Sequence, residues 1–213
     1  MAWTDPNTYI AGAILTAAQL NAMQANALAG GPIYATEAAR TTAIPSPFEG
    51  QRAYITGSTV AAATGLVTAV PTGIQTIYNG AAWVCVTPVG ADTVTTGTTT
   101  STSYTATLTS GGTNPSVTIS TGTTALVTFT AIMNSSVGGV GVLSALAVSG
   151  ATTVAASDNY SVSGELTNFS MCATSFVFTG LTAGTNTFTM NYRINTAGTL
   201  TALRRRLIVQ GIA

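Results

Sequence analysis

Histidine and lysine are absent from the chain, and charged residues of every kind fill only 6% of its 213 positions. Without an imidazole there is no Ser-His-Asp or Cys-His nucleophile, no histidine general base and no His-ligated metal, because each needs a group that titrates near neutrality or donates a nitrogen lone pair. Six basic residues, all arginine, balance six acidic ones. That balance leaves no electrostatic footprint for a phosphate backbone or an anionic bilayer, and it excludes nucleic acid as a main partner. No run approaches the ~18 apolar residues of a spanning helix, and the first ten residues carry no basic leader. A soluble protein without membrane insertion is expected. Cysteine is scarce too: Cys85 and Cys172 lack CxxC spacing and read as small buried apolar residues, with a mutual disulfide as the alternative. No calcium-loop pattern of alternating aspartates occurs, so neither metal nor cofactor is expected.

What fills the place of charge is threonine, glycine and alanine, beside 46% hydrophobic residues. The length allows about 70% of the unfolded surface to be buried, and three stretches differ in composition. In residues 1–31, Thr16 is suited to N-cap a helix, Gln19 falls at N3, and Leu15 can staple onto Leu20 before Gly30, Gly31 and Pro32 end the helix. Its stripe of Leu20, Met23, Ala27 and Leu28 lies on an uncharged helix, which must pack either on its own domain or, as an anchor, on another chain. Residues 32–91 turn to Pro, Gly, Thr and aromatics. A strand over 52–56 and a hairpin around Asn79 and Gly80 form a small β connector. Three strands are too few to cover Tyr54, Ile77, Tyr78 and Trp83, so these are expected at a subunit interface.

Residues 92–103 form a Thr, Ser and Gly run that reads as a hinge, with the domain boundary at its start. Alternating segments follow at 104–108, 117–119, 125–133, 140–148, 160–162, 169–178, 186–194 and 203–212. That density predicts an antiparallel, jelly-roll-like β-sandwich over 92–213, and a mainly β chain with a short N-terminal helix.

Few residues offer chemistry. Asp158 and Glu165 are the nearest carboxylates in the sandwich, but glycan hydrolysis needs a fixed pair about 5 to 9 Å apart, and these read as solvated loop residues. Arg204, Arg205 and Arg206 hold half the positive charge. Strict alternation would put Arg204 and Arg206 on one face with Ile208, and Arg205 on the other with Leu203, Leu207 and Val209. Arg204 and Arg206 then protect an edge strand, pair with Asp158 or Glu165 of another subunit, or bind an anionic glycan, and Arg193 is able to join any of these. Tyr160 and Phe169 are candidates for sugar stacking or for ordinary packing.

The motifs resemble one family. Trp3 and the run Gly12, Ala13, Ile14, Leu15, Thr16, Ala17, Ala18, Gln19, Leu20, Asn21 are similar to the opening of many tailed-bacteriophage virion structural proteins. Pro47, Phe48, Glu49, Gly50, Gln51, Arg52, Ala53, Tyr54, followed by Tyr78, Asn79, Gly80, Ala81, Ala82, Trp83, resemble the hairpin segment of phage fibres and minor tail proteins. Ser103 and Tyr104, residues 121–127 and residues 181–188, with Tyr192 and Arg193, look like the C-terminal sandwich of such proteins. The resemblance implies a non-enzymatic homotrimer, made in the host bacterial cytoplasm and carried on the virion as a capsid decoration or head fibre. It would be held to the major capsid protein by the N-terminal helix through Leu15, Leu20, Met23 and Leu28. The alternative is a minor tail protein or tail fibre, attached to a tail protein, that binds a host cell-surface glycan.

Overall fold

The computed structural model describes residues 31–57, 73–165 and 167–213, so the expected anchor residues Leu15, Leu20, Met23 and Leu28 lie outside the described residues. The connector begins with β1 (Ile33–Tyr34), a helix α1 (Glu37–Ala43) and β2 (Arg52–Ile55), and continues with β3 (Ile74–Tyr78) and β4 (Trp83–Cys85). These strands form one sheet in the order β1-β2-β3-β4, with β1 parallel to β2. The hairpin is where the Asn-Gly pair placed it. Tyr78 faces Trp83 across the strands, and the Asn79 side-chain oxygen accepts from the amides of Ala81 and Ala82 at 3.2 and 2.9 Å.

Helix α1 was not foreseen. Thr36 caps it by accepting from the Ala39 amide at 3.1 Å, and Glu37 sits in the first turn, where a negative charge suits the helix dipole. The helix changes the fate of the aromatics. Its Arg40, itself buried, lies over the Trp83 ring at 4.5 Å, and Tyr78 packs against that ring at 5.6 Å. Trp83 is therefore buried within its own chain, which removes the reason for placing it at a subunit interface. Ile77 and Tyr78 are half-buried, and Tyr54 stays exposed.

The sandwich takes in more chain than expected. Its strands are β5 (Val89–Thr93), β6 (Gly97–Thr99), β7 (Ser116–Thr121), β8 (Thr124–Ser135), β9 (Val142–Gly150), β10 (Ser161–Gly164), β11 (Ser170–Thr179), β12 (Gly184–Ile194) and β13 (Leu200–Ile212). One sheet runs β10-β9-β12-β7 and the other β11-β8-β13-β5, with β6 also paired to β13. This strand order is that of a jelly roll, since successive strands from β7 onward mostly cross between the sheets. The polar run at 92–103 is no hinge: β5 and β6 pair with β13, and Asp92 and Thr93 are buried. Threonine in such a run meets the demands of a strand as well as those of a linker. Segment 104–108, expected as a strand, contributes a single bridge from Thr105 to Tyr192.

The connector packs directly on the sandwich. The Gln210 side-chain amide donates to the Val86 carbonyl at 2.7 Å, and Ser120 donates to the Trp83 carbonyl. Gly211 is required at this junction, because a β-carbon there would come within 2.6 Å of Val84 and 2.7 Å of the Cys85 carbonyl oxygen. Cys85 and Cys172 are both free and buried.

Alternation holds through β13 except at one point. The pairing of β13 with β8 slips between Leu203 and Arg206, and Arg204 takes a positive φ of 47°. This bulge overturns the expected grouping of Leu203 with Arg205: Leu203 faces Ile132 on the outside, whereas Arg205, Leu207 and Val209 point into the core. Arg205 is fully buried. Its guanidinium donates to the carbonyls of Gly111 and Thr95 and to the Asn114 side chain, the last two at 3.3 Å, and lies 5.5 Å from the Tyr192 ring. Asn114 in turn donates to the Met190 carbonyl at 2.6 Å, so one side chain ties the loops after β5 and before β7 to β12. Arg205→Ala should cost about 3 kcal/mol, because it strands buried acceptors and opens a cavity. Arg205→Lys should recover only part of that, since it lacks the planar fork. Urea denaturation should show a lower midpoint at unchanged slope, and an unchanged midpoint would contradict the role given to Arg205.

Candidate functional site

The two outer faces of the sandwich differ. On the β10-β9-β12-β7 sheet, the outward phase of β12 carries Thr187, Thr189, Asn191 and Arg193, alternating with buried Phe188, Met190 and Tyr192. Hydroxyls pair across this face, Ser116 with Thr189 at 3.0 Å and Thr118 with Thr187 at 2.9 Å. At its end an open groove of about 830 Å³ lies between β12 and the loop before β10. Ala147, Ala155 and Ala156 line it with small apolar surface, and Tyr104, Asp158, Asn159, Asn191 and Arg193 bring polar atoms to it.

An internal charge pair organises the groove. Arg193 Nη2 lies 2.8 Å from Asp158 Oδ2 and 2.9 Å from Oδ1, and Arg193 Nε donates to the same Oδ1 at 3.3 Å. Tyr104 donates its hydroxyl to Asp158 Oδ1 at 2.8 Å, while Arg193 sits 5.2 Å over the Tyr104 ring and donates to the Asn195 side chain at 2.7 Å. The Tyr104 hydrogen bond, followed by that of Arg193, holds the Asp158 carboxyl below the ordinary carboxylate value. Asp158 stays ionised at neutrality, whereas a general acid needs its pKa raised. Glu165 is exposed just beyond β10. Nor is a nucleophile prepared at Cys85, whose thiol is pushed up to about 11, chiefly by burial.

The other face, on β11-β8-β13-β5, is apolar. Met171 is 65% exposed, Val177 52% and Ile208 46%, and Leu126 and Ile212 are exposed as well. Strand register puts them side by side: Met171 faces Ile132, which faces Leu203, and Val177 faces Leu126. Between these rows lie Thr128 and Ser175, paired at 2.6 Å. Arg204 and Arg206 stand exposed on β13, which pairs with β8 and β5 and so is not the edge strand expected for them; Arg206 faces Thr130 and lies within this surface, between Ile208 and Leu203. A sequence signal for this face exists in β11, where Met171 and Val177 occupy one phase and Cys172 and Phe178 the other; apolar residues in both phases are the mark of a strand covered on both sides.

Of the sugar-stacking candidates, Tyr160 packs at 4.7 Å from Phe178 and 6.0 Å from Phe176, and Phe169 is exposed. Tyr104 and Asn191 lie in segments expected as strands, 104–108 and 186–194, and nothing in their spacing marks either as a site residue. No group of three or more potential metal ligands occurs among the described residues, and no described helix is long and apolar enough to cross a membrane.

No protein-family model matches the chain, and no curated protein matches it. Among solved structures it is similar to that of Eiger TNF from S. frugiperda, with 12% identity and a TM-score of 0.39 over 59% of this chain and 93% of that one. The jelly-roll order rests on the strand pairing itself.

Because Asp158 has a depressed pKa in the folded chain, its contribution to stability is present above the unfolded carboxylate value and is lost as pH falls through the folded one. A carboxyl-detected NMR titration should place Asp158 below an ordinary aspartate, and Tyr104→Phe should move it upward. An Asp158 midpoint that is ordinary in the wild type would contradict the groove geometry.

Proposed function

We propose that this is a non-enzymatic virion surface protein of a tailed bacteriophage, a homotrimer that displays the sandwich outward and is held to the capsid by its N-terminal part. The observation that carries the oligomeric half of this reading is the apolar outer face of β11, β8 and β13. Strands of 12 and 13 residues give a face roughly 40 Å by 15 Å at ~3.3 Å per residue and ~4.8 Å between strands. That footprint of ~600 Å², in which Leu126, Met171, Val177, Ile208 and Ile212 alternate with Thr128, Ser175 and Arg206, approaches the ~800 Å² per partner of a standard interface. A second copy of the same chain is the fitting cover. The face carries hydroxyls and apolar groups, and its exposed positive charges are Arg204 and Arg206 on β13, with Arg206 between the Ile208 and Leu203 rows, so a covering copy has to leave Arg206 hydrated or offer it a carboxylate. The phage assignment is supported by the sequence motifs, and closure at three subunits follows the same resemblance, as a heterologous contact that closes into a ring.

The tail-fibre alternative, with its glycan ligand, is favoured by one feature, the polar groove on the opposite face. Catalysis has no support in either version: Asp158→Asn and Glu165→Gln are not expected to change any host glycan.

The wild-type chain should sediment as a trimer at micromolar concentration. Val177→Asp combined with Ile208→Asp should leave far-UV circular dichroism unchanged, since both side chains lie outside the core, and should yield monomers. A wild-type monomer at that concentration, or a trimer indifferent to the double substitution, would contradict the proposed interface.

A further inference from the structure

We infer that the groove between β12 and the loop before β10 is a binding site for a neutral saccharide unit, with Asp158, Asn159, Asn191 and Arg193 as its polar contacts. Three observations carry this. Arg193 and Asp158 neutralise each other at 2.8 Å, so the groove offers strong hydrogen-bonding atoms without a net charge to recruit an ionic ligand. Those atoms are held in place before any ligand arrives: Oδ1 of Asp158 accepts from Tyr104 and Arg193 and Oδ2 accepts from Arg193, while the Asp158 side chain remains 63% exposed. Fixed acceptors lower the ordering cost of recognising hydroxyl groups.

The third observation is the lining. Ala147, Ala155 and Ala156 are small, and they leave an apolar patch beside the polar atoms. A pyranose has the matching character, with C–H surface on its ring faces and hydroxyls around its rim. Asn191 donates to the Thr189 carbonyl at 3.1 Å, which fixes its amide while leaving its side-chain oxygen to accept. The groove is also on the opposite side of the sandwich from the apolar face, so a trimer built through that face would leave it open. The inference itself stands on the groove and holds for a monomer as well. A failed trimer would show in sedimentation and a failed sugar site in ligand binding, so the two outcomes are separable.

The test is saturation-transfer NMR on the full chain with glucose, galactose, mannose and N-acetylglucosamine at millimolar concentration, and with sialic acid and a sulfated disaccharide as charged probes. At least one neutral sugar should receive saturation. Ala155→Phe fills the groove from an exposed position without touching the ion pair, and should weaken that response at least about tenfold, as should Asn191→Ala. Arg206→Ala should leave it unchanged. The inference is overturned by silence from every neutral sugar, by a response confined to the charged probes, or by binding that survives Ala155→Phe.

Discussion

The bulge in β13 decides which side of that strand is the core. Up to Ala202 the even positions point inward, and from Arg205 onward the odd ones do. Had the first phase continued, Ile208 would lie inside and Leu207 and Val209 outside. β13 pairs with β8, β5 and β6, so its phase sets the packing of a whole sheet. Arg205 fits the bulge to the rest of the molecule. A guanidinium buried there is tolerable because carbonyl oxygens, an amide oxygen and the Tyr192 ring surround it.

Scarcity of charge gives that arrangement its consequences. Of six basic residues, Arg205 and Arg40 are buried and Arg193 is engaged by Asp158. Few remain to solvate the two outer faces. On one face hydroxyl pairs along β7 and β12 take over that task and a neutralised ion pair organises a groove. On the other, isoleucine, leucine, valine and methionine lie open beside a threonine-serine pair and the exposed Arg206. A sandwich with one wetted and one apolar side is suited to assembly through the apolar side and display of the wetted one.

Much of this was legible beforehand. Alternation located β7 to β13, and Asn79 with Gly80 located the connector hairpin, because both signals depend on local geometry. The misses have physical reasons. The helix at Glu37 is seven residues long, too short to show a periodic stripe, although Thr36 and Glu37 were a readable cap. β5 and β6 hid in a polar run because their strand character comes from pairing with β13 rather than from their own composition. The bulge at Arg204 leaves no mark in the pattern, since it is visible only against the register of β8. The groove was half visible: Asp158 and Arg193 were noticed, yet Tyr104 and Asn191 lie 54 and 33 residues from Asp158 in sequence, and only the jelly-roll connections bring them together.

The central claim is that the apolar face of β11, β8 and β13 is covered by other copies of the chain, and methionine oxidation tests it most directly. Met133 and Met190 are fully buried and serve as internal standards, while Met171 is 65% exposed in the single chain. In the native protein at micromolar concentration, Met171 should oxidise about as slowly as Met133 and Met190, and dilution to dissociated chains should make it fast. Rapid oxidation of Met171 at every concentration, with Met133 and Met190 protected, would contradict the account.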